Sequence, residues 1–175
     1  MCLGSHQANV LATPEVVIVP SLPRFVANEY FTLGTSKNRR ARIYGLGDNF
    51  KRWFLEGAGK IEVATTPMAI SYRTIEAKAT DELLLNELGG NMKAELRLSQ
   101  VAYFMDEQYD GKDGALLVDR ESGGKLGSLF LARDIKNILR IVYVSWRDTA
   151  WAVIAVPTAD DNRPLCHGNR IFSRY

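Results

Sequence analysis

The stretch that most constrains this chain runs from Leu126 to Val156. Leu126 to Arg133 is mostly apolar and short, which predicts a strand. A polar connection follows at Asp134 to Asn137. Ile138 to Arg147 then carries apolar side chains on both alternating sets: Ile138, Val142, Val144 and Trp146 on one, Leu139, Ile141 and Tyr143 on the other. A strand that is apolar on both sides is covered on both faces, so it belongs inside a sheet. Asp148-Thr149 reads as a tight turn, and Trp151 to Val156 returns as a partner strand until Pro157 ends it. Trp146 and Trp151 flank the turn and are placed to pair across the strands. The expectation is a three- or four-stranded antiparallel meander, with Ile171 and Phe172 anchoring the C-terminus to the sheet.

The rest of the chain mixes strand and helix signals without regular alternation. Residues 1–13 carry no periodic pattern and are expected to form a loose tail, leaving a single domain over 14–175. Strands are predicted at Pro14–Val19, Phe25–Leu33, Ala41–Leu46, Lys60–Thr66 and Ala69–Ala77, with a polar, basic loop at Thr35–Arg40. Over 48–56, Phe50, Trp53 and Phe54 share one helical face, Asp48 is placed to cap, and Gly57 can end the helix. Thr80 opens a second helix with Asp81 and Glu82 at its favourable end and Leu84, Leu85 and Leu88 as its apolar stripe; Gly89 and Gly90 stop it. Met92–Leu98 alternates like a strand, and a third helix is predicted over 99–109, capped by Ser99. The fold class is therefore α+β, with an antiparallel sheet of five or more strands and two or three helices packed on one face. Phe50, Trp53, Phe54, Val144, Trp151 and Ile154 belong to the predicted core.

Composition excludes several classes. At 46 % hydrophobic and 24 % charged, 175 residues can bury a core and are far from the signature of disorder. The formal net charge is +2, which gives no bulk electrostatic case for a polyanion or a membrane surface. The charge is unevenly spread: residues 1–75 carry +4, 76–125 carry −5 and 126–175 carry +3. No run approaches the ~20 apolar residues that span a bilayer. Met1–Leu11 lacks the basic start and apolar stretch of a secretion signal, so cytoplasmic residence is the expectation. Two cysteines, Cys2 and Cys166, fall short of a disulfide framework and read as free thiols.

Few residues suggest chemistry. Cys2, His6, Cys166 and His167 make up a zinc-type donor set, but adjacent residues rarely reach one ion together, and no metal or cofactor is predicted. His167 lies beside Asp160, Asp161, Arg163 and Arg170 in sequence, a set that could bind phosphate or cut a phosphodiester; the plainer reading is an exposed polar loop over 159–169. Gly123-Gly-Lys-Leu-Gly-Ser128 lacks the spacing of a phosphate loop and leads into a strand. The best binding patch is the basic run Lys37, Arg39, Arg40 and Arg42, followed by Tyr44, because arginine forks grip phosphate and aromatic faces stack on bases. The carboxylate pairs Asp81/Glu82, Asp106/Glu107 and Asp160/Asp161 are adjacent and point apart. G-x-S-x-G, H-E-x-x-H and C-x-x-C are absent from the sequence. These readings favour a non-catalytic module that binds a protein partner. The alternatives are a nucleic-acid-binding protein using the 37–42 loop and a hydrolase or nuclease using His167.

Overall fold

The Leu126–Val156 stretch folds as the expected meander. Strands β7 (Ser128–Arg133), β8 (Leu139–Arg147) and β9 (Ala150–Pro157) pair antiparallel in sequence order in the computed structural model, which describes residues 10–37, 39–121, 125–158 and 167–175. Asp148 takes φ 53° in the tight turn between β8 and β9. Trp146 lies directly opposite Trp151, and their rings meet edge to face with centroids 4.9 Å apart.

Around the meander the sheet grows to eight strands. On one side β9 pairs parallel with β4 (Arg39–Leu46), which pairs antiparallel with β3 (Gly34–Ser36). On the other side β7 pairs parallel with β10 (Arg170–Arg174), then come β6 (Met68–Thr74) and β1 (Glu15–Val19), both antiparallel to their neighbours. The order is β1-β6-β10-β7-β8-β9-β4-β3. The sheet is therefore mixed, not wholly antiparallel. The two parallel contacts arise because β10 and β4 reach the meander from distant parts of the chain instead of through hairpins. The C-terminus is more than anchored: Ile171 and Phe172 sit in an interior strand between β6 and β7. A separate two-stranded ladder joins β2 (Phe25–Val26) to β5 (Ile61–Glu62).

Alternation along the strands builds two cores. Phe130, Val142, Val144, Trp151, Val153 and Phe172 point to one face. There they meet α1 (Ala27–Tyr30), α2 (Asp48–Phe50) with the π-helical turn that continues it (Lys51–Leu55), and α5 (Leu98–Glu107). Leu129, Leu131, Ile141 and Ile171 point to the other face, under α3 (Asp81–Glu87) and α4 (Asn91–Ala94). The helices thus cover both faces, where one was expected. The chain passes between the faces just after α4: Ala94 packs in the second core, Glu95 bridges to Leu131 beside β7, and Leu96 and Leu98 pack in the first.

Several local expectations change for tertiary reasons. Phe25–Leu33 is a two-residue strand followed by α1, because Ala27, Tyr30 and Phe31 are all drawn into the first core. The predicted strand at Lys60–Thr66 shortens to β5, and Met92–Leu98 is a helical turn and a crossing segment. The basic loop at Thr35–Arg40 is instead the β3–β4 hairpin. Trp53 is only partly buried, and Ile154 is exposed, since it alternates with Trp151 and Val153 onto the opposite face. The helix signal at Thr80 holds: its Oγ1 accepts from the Leu83 N–H at 3.3 Å, and Gly89 and Gly90 end the helix at φ 87° and 86°.

Candidate binding face

Strand β4 sorts the basic run into an inner and an outer set. Arg39, Ala41 and Ile43 point inward and are buried. Arg39 spends its guanidinium on backbone and hydroxyl oxygens. Nε donates to Ala41 O, Nη1 to Tyr30 O and Thr32 Oγ1, and Nη2 to Thr32 O and Gly34 O. All five donors are used, so Arg39 ties α1 to the hairpin and offers nothing to a ligand. Tyr30 beside it donates its hydroxyl to Ala102 O at 2.9 Å. Burial, reinforced by Asp106, pushes that hydroxyl far above the usual phenol range, so it stays protonated.

Arg40, Arg42 and Tyr44 point outward and are exposed. The Arg40 guanidinium lies 4.2 Å from the centroid of the Tyr109 ring, just beyond α5. Asp106 fixes this strand end against the helix: its Oδ1 accepts from the N–H groups of Arg40 and Ala41 at 2.9 and 2.8 Å. An acid at a helix C-terminus is unfavourable locally, and these two N–H groups explain its presence. The pairing of β4 with β9 then slips between Ile43 and Gly45, a bulge that carries Tyr44 outward. Lys37 is exposed in the hairpin turn.

The outer side of β4 continues onto β9 and β8. Ala152 and Ile154 on β9 and Tyr143, Ser145 and Arg147 on β8 share that face by register. Helices α3 and α4 cover the middle of the face only. Tyr44 is left 67 % exposed and Ile154 39 % exposed. At the tip of the β8–β9 hairpin a cleft of about 350 Å³ is lined by Tyr44, Asp119, Arg120, Trp146, Arg147 and Asp148. Arg120 is held there by donating Nη2 to Gly111 O at 2.7 Å. Along this face Ile154 lies beside Gly47, and Tyr44, Arg42 and Arg40 follow in the direction of the β8–β9 hairpin tip, where Arg120, Arg147 and two carboxylates line the cleft with Tyr44. Sequence reasoning located Arg40, Arg42 and Tyr44; it missed Tyr109 and Arg147, which come near them only through the fold, and it placed Ile154 in the core because both alternating sets of β9 are apolar.

A second cleft, about 270 Å³, lies between β5 and the Glu95–Arg97 crossing segment and is lined by Lys60, Glu62, Glu95, Arg97 and Arg133 among others. Its charged groups hold the fold. Glu62 accepts from the N–H groups of Leu98 and Ser99, both at 2.9 Å, and so caps α5. Glu95 pairs with Arg133 at 2.9 Å, Lys60 donates to Asp134 O, and Arg97 donates to Val63 O. Ser99, the expected cap, lies inside the helix and is buried.

The His167 set is not brought together among the described residues. His167 is exposed. Arg170 turns to the carbonyls of Gly114 and Ala115 and lies over the Tyr72 ring. Cys2, His6, Cys166, Asp160, Asp161, Arg163 and the glycines 123 and 124 fall outside the described residues. Among the described residues, no group of three His, Cys, Asp or Glu side chains is placed to hold a metal ion, and no helix is long and apolar enough to cross a membrane.

Fold and surface together define an α+β fold with a mixed eight-stranded sheet, one face of which, among the described residues, is left exposed at Tyr44 and Ile154 toward its β9–β4 end. No protein-family model, curated protein or solved structure matches this chain.

Proposed function

We propose that this protein is a non-catalytic binding module that engages a protein partner through the uncovered β9–β4 end of its sheet. The observation that carries the reading is the exposure of Tyr44 and Ile154 at the β9–β4 end of a sheet face whose middle is covered by α3 and α4, with Arg42 and Arg147 toward the hairpin tip beside Tyr44. Tyr and Arg are enriched where protein interfaces concentrate their binding energy, and an apolar centre within a polar rim is the common anatomy of such surfaces. Asp119 and Asp148 stand among the arginines of the adjoining cleft. That mixture suits a protein surface of mixed charge better than a phosphate backbone, which rewards cations alone. The partner would bring acidic side chains to the arginines and an apolar group to Tyr44 and Ile154.

The test is affinity capture from nuclease-treated host lysate with the wild-type chain and with Arg42→Glu/Tyr44→Ala. A protein retained by the wild type and lost with the variant, at equal melting temperature, supports the reading. Equal retention by both, or nothing above background at low and high salt, rejects it.

A second reading is single-stranded nucleic acid. It is favoured by the placement of Arg40 and Arg42 two residues apart on one strand, beside the exposed rings of Tyr44 and Tyr109. It predicts oligonucleotide binding that weakens steeply with salt and is removed by Arg40→Glu/Arg42→Glu. Absence of binding at low salt rejects it.

A further inference from the structure

The two edges of the eight-stranded sheet are unlike. β3 is three residues long, and its pairing with β4 slips between Gly34 and Ser36. A short, irregular edge of that kind resists further pairing. β1 is regular: its five residues Glu15–Val19 run in unbroken antiparallel register with β6, without lysine or bulge. β6 occupies one side of it, and among the described residues no strand lies on the other. Val16 and Ile18 point to the α3/α4 face, beyond the helices, and are 44 % and 65 % exposed. A regular, apolar edge strand of this kind is a ready template for another strand.

We infer that β1 pairs edge to edge with β1 of a second copy, in an antiparallel two-fold dimer centred on Val17. The occupant and its register follow from the sequence of the strand. Pro14 and Pro20 bracket it, and proline cannot donate to a ladder. With Val17 opposite Val17, the two five-residue strands overlap completely and all four prolines stay outside the pairing. Centring on Val16 sets Pro14 against Ile18 of the other copy, and centring on Ile18 sets Pro20 against Val16.

In the Val17 register each Val16 meets Ile18 of the second copy, so the exposed apolar side chains cover one another on the face where they are bare. Glu15 is the only charge in the strand. It falls opposite Val19, which places the two carboxylates at opposite ends of the pair, roughly 13 Å apart at ~3.3 Å per residue. No like charges meet, and a two-fold axis makes each contact twice. A strand bearing charges would find nothing along Val16–Val19 to pair with them. A five-residue edge is small beside a standard interface, so the dimer is weak, with a dissociation constant on the order of 100 μM.

Sedimentation velocity from roughly 10 μM to 1 mM, a span that brackets such an affinity, tests this. The wild-type chain moves from monomer to dimer across the range. Ile18→Lys and Val16→Lys each weaken the dimer at least ~10-fold while leaving the melting temperature unchanged, because both side chains are exposed. Amide exchange at residues 16–19 slows as concentration rises. The Arg42→Glu/Tyr44→Ala variant, altered at the far end of the sheet, dimerises like the wild type. A wild type that stays monomeric throughout, lysine variants that dimerise as the wild type does, or concentration-dependent protection elsewhere would each overturn the inference.

Discussion

The guanidinium of Arg39 brackets Thr32, donating to its Oγ1 at 2.7 Å and to its carbonyl at 2.6 Å. Its remaining donors go to Tyr30, Gly34 and Ala41. Removing this fork takes a charged donor from the buried carbonyls of Tyr30 and Ala41 and unties Thr32 and Gly34 from β4. Arg39→Ala should cost about 3 kcal/mol, and Arg39→Lys nearly as much, because an ammonium cannot reproduce the planar fork. Arg40→Glu, one residue along and exposed, should cost no more than about 1 kcal/mol, the worth of its contact with the Tyr109 ring. Urea unfolding of the three variants checks the contrast between a structural and a surface arginine in one basic run.

Asp134 gives the protein a pH-dependent contribution. It is buried, and burial by itself would raise its pKa. The N–H of Ile138, the Arg140 guanidinium and the N–H of Lys136 outweigh burial and hold the carboxyl below its usual range. A carboxyl depressed in the folded state stabilises the protein above its unfolded pKa of ~3.9, and that stabilisation is lost as pH falls through the folded value. Asp134→Asn should therefore destabilise by about 2 kcal/mol near neutrality. The gap to the wild type should close as the pH is taken below ~4. Unfolding curves at the two pH values read it directly.

Glu62 reaches from β5 to cap a helix that begins thirty-six residues later at Leu98. Glu62→Gln removes the charge and one acceptor from the helix N-terminus, so a loss of about 1 kcal/mol is expected. Amide exchange in the first turn of α5 should speed up more than elsewhere, which distinguishes loss of the cap from a general loosening.

Gly111 is fixed by its neighbour and by its backbone. It adopts φ 68°, and a β-carbon there would overlap the Trp146 ring. Gly111→Ala has to move the indole or the loop, so a destabilisation of roughly 2 kcal/mol is expected, accompanied by a change in tryptophan fluorescence.

The parts of this fold that could be read from sequence are those where local rules and tertiary packing agree. The Asp148 turn, the Trp146–Trp151 pair and the Thr80 cap are short-range features, and each is where its residues place it. What could not be read depends on distant partners. Nothing in Arg170–Arg174 says that it inserts between β6 and β7. Phe25–Leu33 alternates like a strand, but the pull of Tyr30 and Phe31 into the core makes it a helical turn. In the basic run, the alternation of β4 decides which arginines are free to meet a partner; a loop would have exposed Arg39 along with Arg40 and Arg42. The uncovered face itself was invisible, because the reach of α3 and α4 over the sheet is a three-dimensional quantity.

The binding account rests on Tyr44 and Ile154 being bare in the free chain and covered in the complex. Hydroxyl-radical footprinting of the free protein and of the captured complex tests this most directly. Tyr44 and Ile154 should react in the free chain and be protected in the complex, while Trp151 and Phe172, fully buried, stay silent in both. Labelling of Tyr44 and Ile154 that is the same in both samples would contradict it.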